Sequence, residues 1–123
     1  MPLLVVVAIA VVYLLMLINT NQVILDVEDI MRSNVPMEIT RGRPTHRYNR
    51  QDEHDVRTVS YYVRIDRRFV LHDFSNGYMW IKYYREGYDN EGNRMYGSWG
   101  IPARWKIQKI GGEWEIVEIF EDP

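Results

Sequence analysis

The stretch Leu3 to Ile18 limits what this chain can become more than any other: sixteen residues, LLVVVAIAVVYLLMLI, with no charge, no Gly, no Pro and one polar atom, on Tyr13. As a helix from Met1 to Ile18 it would rise roughly 27 Å, close to the ~30 Å hydrocarbon thickness of a bilayer. In lipid a lone segment must satisfy its own backbone hydrogen bonds, so it can only be a helix there, despite the strand-like run Val5, Val6, Val7. The expectation is a membrane anchor at residues 1–20, followed by a single small domain at 21–123.

Two other readings compete with the anchor. A soluble core helix or buried strand can be this apolar, but such runs are usually shorter. A cleaved signal peptide needs a basic leader, a shorter apolar run and a small-x-small site just after it. Here Met1-Pro2 is the leader, Ala8-Ile9-Ala10 lies inside the run, and Ile18-Asn19-Thr20-Asn21 is a poor cleavage site. An uncleaved anchor is therefore expected. The chain has no cysteine, which excludes disulfides, thiol nucleophiles, lipidation on cysteine and cysteine-held zinc or iron–sulfur sites together.

All 15 Lys+Arg and 17 Asp+Glu lie after residue 21, so the domain is near neutral and offers no electrostatic case for nucleic acid. About a hundred residues suffice for one core and not for two. Fourteen of the sixteen aromatic residues fall at or after Tyr61, so the second half should build that core.

Val23, Ile24, Val27, Ile30 and Met31 recur at helical spacing, with Asn21 or Thr20 as a cap and Pro36 beyond the end. They predict a short amphipathic helix over 22–33, either separate from the anchor or continuous with it through Asn19-Thr20-Asn21. Residues 41–57 read as a basic loop: Arg41, Arg43, Arg47 and Arg50 surround Gly42, Pro44 and His46 without an acid until Asp52. Those arginines suit anionic lipid headgroups or another acidic partner. Equally, they could pair with Asp52, Glu53 and Asp55 as a solvated loop.

From Thr58 the period becomes two. Val59, Tyr61, Val63 and Ile65 alternate with Ser60, Tyr62, Arg64 and Asp66. Phe69 to Phe74 leads into Ser75-Asn76-Gly77, read as a hairpin turn with Gly77 at positive φ. Tyr78 to Tyr88 is a central strand, with Met79, Ile81 and Tyr83 on one face and Tyr78, Trp80 and Tyr84 on the other. Asp89 to Asn93 turns the chain; Gly97, Gly100 and Pro102 mark a bulge or bend before Arg104 to Ile110; Gly111-Gly112 makes the last turn, and Glu113 to Phe120 closes the sheet.

The fold expected is α+β: a transmembrane helix, then a short amphipathic helix packed on an antiparallel meander of four to five strands. Two segments, Gly77-Tyr78-Met79-Trp80-Ile81-Lys82-Tyr83 and Trp105-Lys106-Ile107 with Gly111-Gly112 and Trp114-Glu115-Ile116-Val117, resemble the sheet of cystatin-like and NTF2-like domains, whose curved sheet ends in a hairpin of this kind. The likeness spans residues 58–120. It implies an extracytoplasmic module, often tethered to a bacterial membrane, that binds something and seldom catalyses. With too little helix before the sheet for the three-helix NTF2-like cone, the single-helix cystatin-like arrangement fits better.

No Gly-rich phosphate loop, G-x-S-x-G elbow or H-E-x-x-H appears, and Gly97-Ser-Trp-Gly100 is one residue short of the elbow. Asp52-Glu53-His54-Asp55 could supply metal ligands but reads as solvated surface. His72-Asp73 could be a base and its orienting acid, with Tyr61, Tyr62 or Tyr84 polarising a carbonyl; an ordinary strand end is the simpler reading. Glu113, Glu115, Glu118, Glu121 and Asp122 read as an exposed edge that resists aggregation. No catalytic residue, cofactor or metal is assigned.

The reading that results is a membrane-anchored, extracytoplasmic, non-enzymatic module binding an unknown protein partner or a wall or membrane component through Tyr62, Tyr78, Trp80 and Tyr84. Its rivals are a small NTF2-like enzyme or ligand pocket under the curved sheet, and an assembly subunit of an export or conjugation apparatus. The charge rule for orientation barely votes, since only Arg32 lies within about fifteen residues of the anchor, and it slightly favours a cytoplasmic domain.

Overall fold

The computed structural model describes residues 2–49 and 58–121. One helix, α1 (Pro2–Met31), runs without a break through the apolar stretch and the amphipathic stripe. Of the two arrangements the sequence allowed at Asn19-Thr20-Asn21, the continuous one is present, and two of the three polar side chains there are engaged. Thr20 Oγ1 donates to the Met16 carbonyl at 2.8 Å, and Asn19 Oδ1 accepts from Trp114 Nε1. The helix ends where Ser33 takes φ 62°, with Ser33 N–H to the Ile30 carbonyl and Asn34 N–H to the Asp29 carbonyl, the paired bonds of a Schellman cap. Beyond it, the basic stretch is not wholly irregular: α2 (Met37–Thr40) and a 3-10 turn (Pro44–Tyr48) fold it back against α1.

Four strands form one antiparallel sheet in sequential order: β1 (Ser60–His72), β2 (Asn76–Tyr88), β3 (Arg94–Ile110) and β4 (Glu113–Phe120). The fold is therefore α+β, and among the described residues there is no fifth strand. The bulge expected near Gly97, Gly100 and Pro102 is present within one continuous β3: Trp99 and Gly100 together oppose Tyr84, between the pairs Tyr83↔Ile101 and Arg85↔Ser98, and Gly100 takes φ +67° to absorb the extra residue. A second bulge at Arg68 separates the pairs Arg67↔Ile81 and Phe69↔Trp80.

The turn between β1 and β2 lies earlier than Asn76-Gly77. Phe74 carries the left-handed backbone at φ 68°, and the Asp73 carboxylate accepts the N–H groups of Ser75 and Asn76. Gly77 is already in β2, and its φ is not positive. A glycine sits there because a Cβ would stand 2.3 Å from both His72 Cβ and the Leu71 carbonyl oxygen across the strand pair.

Val23, Ile24, Val27, Ile30 and Met31 press on one sheet face built by Val63, Ile65, Val70, Met79, Ile81, Trp105, Ile107 and Ile116. A buried polar network closes the end of this core farther along α1. Trp105 Nε1 donates to Tyr48 Oη (3.0 Å), Tyr48 Oη donates to Glu121 (3.0 Å), and Tyr83 donates to the other Glu121 oxygen. Arg85 Nη1 and Nη2 donate to the carbonyls of Tyr48 and Met31. Burial drives the Tyr48 hydroxyl pKa well above its ordinary value, so it stays a neutral donor. Glu121 is thus a structural acceptor rather than part of an exposed acidic edge.

Candidate functional site

Strand alternation sends Met79, Ile81, Tyr83 and Arg85 into the core and leaves Tyr78, Trp80, Lys82 and Tyr84 on the opposite face, which α1 reaches at the β1 edge, where Tyr13 stacks on Phe69. Tyr62 joins them from β1, where it pairs with Glu86. The four aromatic residues expected to share a face do share it, but they fall into two clusters on either side of Lys82.

The first cluster centres on Trp99. The β3 bulge turns its indole outward, where it stacks on Tyr62 (6.0 Å between rings) and meets Tyr84 edge-on (4.8 Å). The Arg64 guanidinium lies over Tyr84 at 4.5 Å and donates to Asp66 at 2.9 Å, which raises the Arg64 pKa further. Trp99 is nonetheless 62% exposed and Tyr62 39%. In the second cluster Trp80 packs between Phe69 (5.6 Å) and Tyr78 (6.0 Å), while Arg104 spans Tyr78 and Phe120. Trp99, Phe69, Arg64, Arg104 and Phe120 were not singled out from the sequence. For Trp99 and Phe69 the reason is the bulges, since each extra residue reverses the face that alternation assigns.

His72 and Asp73 do not form a base and its acid. His72 Nδ1 accepts the Phe74 N–H at 2.8 Å, which leaves the proton on Nε2, aimed at the Met16 carbonyl at 3.4 Å. Protonating Nδ1 would set two donors against each other, and burial already holds the His72 pKa below its ordinary value. The Asp73 carboxyl is held low by the turn N–H groups of Asn76 and Ser75. A cleft of about 460 Å³ opens elsewhere, between α1, residues 39–45 and the edge strand β4, floored by Val23, Val27, Ile30, Trp114 and Ile116. Among the described residues its lining includes no tyrosine or histidine, and neither His72 nor Asp73 belongs to it.

Of the arginines, Arg47 lies 4.0 Å from Glu121 and near the Tyr48 ring, Arg43 lines the cleft opposite Asp26 and Asp29, and Arg41 N–H caps α2 on the Met37 carbonyl. Tyr48 sits beside Met31, thirteen residues past Ile18 or roughly 20 Å farther along the helix axis, so Arg47 stands far from the apolar run. Arg50 and the cluster Asp52-Glu53-His54-Asp55 lie outside the described residues, as does Asp122. Among the described residues no group of three or more His, Asp or Glu is placed to hold a metal ion.

Comparison with protein-family models, with characterised proteins and with solved structures gives no match to this chain.

Proposed function

We propose that this chain is a membrane-anchored binding module, without catalysis of its own, whose outer sheet face takes a protein partner outside the cytoplasm. The observation that carries it is Trp99, held open between Tyr62 and Tyr84 with Arg64 stacked alongside. Trp, Tyr and Arg are the residues in which interface binding energy concentrates. On this face they are pre-ordered by ring contacts and by a rigid sheet, so little side-chain freedom would be lost on binding. The anchor reading is supported by α1, a helix long and apolar enough to cross a membrane, with its first half exposed. The cystatin-like resemblance of residues 58–120 and the missing catalytic set support the extracytoplasmic placement.

The test is site-specific photo-crosslinking of the full chain in native membranes, with the reactive residue at position 62, 80 or 99, or in the loop at Asn90. A discrete adduct from the face positions that is missing at position 90 and lost with Arg64→Glu supports the reading. Equal labelling at all four positions refutes it. Protease added to intact spheroplasts should remove the domain, and full protection would place it inside.

A further inference from the structure

The domain takes hold of α1 before the apolar run ends. Tyr13 Oη accepts the Val70 N–H at 3.3 Å and the Tyr13 ring stacks on Phe69 at 5.7 Å. The Met16 carbonyl accepts from His72, and the Leu17 carbonyl accepts from Arg67 at 2.8 Å. Leu71 closes a shallow apolar hollow against Ile9, Val12 and Met16. Ile9, Val12, Tyr13, Met16 and Leu17 thus belong both to the apolar run and to the contact with the domain. Where α1 crosses a bilayer, the hairpin ends fastened to these residues are brought to the membrane with them.

What is fastened there suits that position. The β1–β2 and β3–β4 turns lie side by side, with Lys109 N–H donating to the Ser75 carbonyl at 2.8 Å. Around them Phe69, Leu71, Phe74 and Ile110 are 45%, 53%, 40% and 47% exposed, and Phe69 and Leu71 adjoin the apolar side of α1 at Tyr13, Ile9 and Val12. Trp114, bonded to Asn19, and Tyr13, stacked on Phe69, bring rings with one polar atom to this region, and Arg67, bonded to the Leu17 carbonyl, and Lys109, at the paired turns, add positive charge, the composition of a membrane–water boundary. β1 is an edge strand, and where it meets the helix its Val70 N–H is satisfied by Tyr13, as a backbone donor in a lipid setting must be.

We infer that the two hairpin ends are a second membrane contact: Phe74, Ile110, Leu71 and Phe69 are seated at the headgroup–acyl boundary of the bilayer that α1 crosses. This holds the sheet upright on its anchor and fixes which way the outer aromatic face points. It rests on the anchor reading.

The natural absence of cysteine permits single-cysteine labelling of the full chain. Variants Val7→Cys, Phe74→Cys, Ile110→Cys and Asn90→Cys, each carrying an environment-sensitive fluorophore, are reconstituted in vesicles of mixed neutral and anionic phospholipid. Quenching by aqueous iodide and by lipids spin-labelled at shallow or deep positions is then read. Positions 74 and 110 should be quenched by the shallow lipid label and be roughly threefold or more less accessible to iodide than position 90, as for groups sunk about 5–10 Å into the interface. Position 7 should respond to the deep label. Iodide access at 74 and 110 equal to that at 90, with 7 still deep, overturns the inference and leaves the anchor standing. Iodide access at position 7 as well overturns both.

Discussion

Tyr48→Phe removes one oxygen from the buried network and leaves its packing in place, so its cost can be worked out in advance. The ring keeps its edge contact with Tyr83 (5.5 Å) and its neighbour Trp105 (6.1 Å). Lost are the acceptor for Trp105 Nε1, on a side chain with 0% exposure, and one of the two hydroxyls serving Glu121. Stranding a buried indole N–H costs about 1–3 kcal/mol, and a hydrogen bond to a charged acceptor contributes about 1.5–3 kcal/mol. Because Glu121 keeps Tyr83 and the nearby Arg47, the lower half of each range applies and the sum is about 2–4 kcal/mol. At roughly 4–8 °C per kcal/mol for a domain of this size, the melting temperature should fall by about 10–25 °C. The assay is thermal unfolding of the full chain in detergent, followed by near-ultraviolet circular dichroism. Repeating the change in a Trp105→Phe background should recover about 1 kcal/mol of coupling, because no indole donor is then stranded. A loss under about 0.5 kcal/mol, or additive single changes, would show that the network does not hold the 3-10 turn and β4 to the sheet.

Three further outcomes are expected. Because the folded pKa of His72 lies below its unfolded value, the stability that its neutral form contributes is full above about pH 6.5 and lost as pH falls below that. The difference in melting temperature between the parent and His72→Gln should therefore narrow from pH 7.5 to pH 5, and a widening gap would reverse the argument. Gly77→Ala should destabilise by about 2 kcal/mol through the clash with His72 and Leu71. Gly77→Asn, which a left-handed site would tolerate, should cost at least as much in denaturant titrations, and its tolerance would restore the turn to Asn76-Gly77. Trp99→Ala should change the midpoint of unfolding by no more than about 0.5 kcal/mol, since its indole is largely exposed, while abolishing the crosslink from position 62. A strongly destabilised Trp99→Ala would make the residue a packing element instead.

Period alone determined much of this protein. The length and apolarity of the first run pointed to a helix, the 3.6-residue stripe Val23 to Met31 called for a core to face, and two-residue alternation set Met79 and Ile81 on the face opposite Trp80, because these patterns follow from local backbone geometry. Turn chemistry located Asp89–Asn93 and Gly111-Gly112, since left-handed backbone at Gly92, Gly111 and Gly112 is a local demand that glycine meets. Three things were decided only by tertiary structure. The helix runs straight through Asn19-Thr20-Asn21, which the sequence left open, and there Trp114, ninety-five residues away in sequence, engages Asn19. Bulges at Arg68 and at Trp99-Gly100 carry Phe69 and Trp99 to the outer face; Gly97, Gly100 and Pro102 marked a bulge or bend in β3, but which side chains it turns outward is fixed only by the register between strands. Tyr48, Arg85 and Glu121 become one buried network because the fold brings a loop, a central strand and the last strand's end together, a distance that no spacing along the chain encodes.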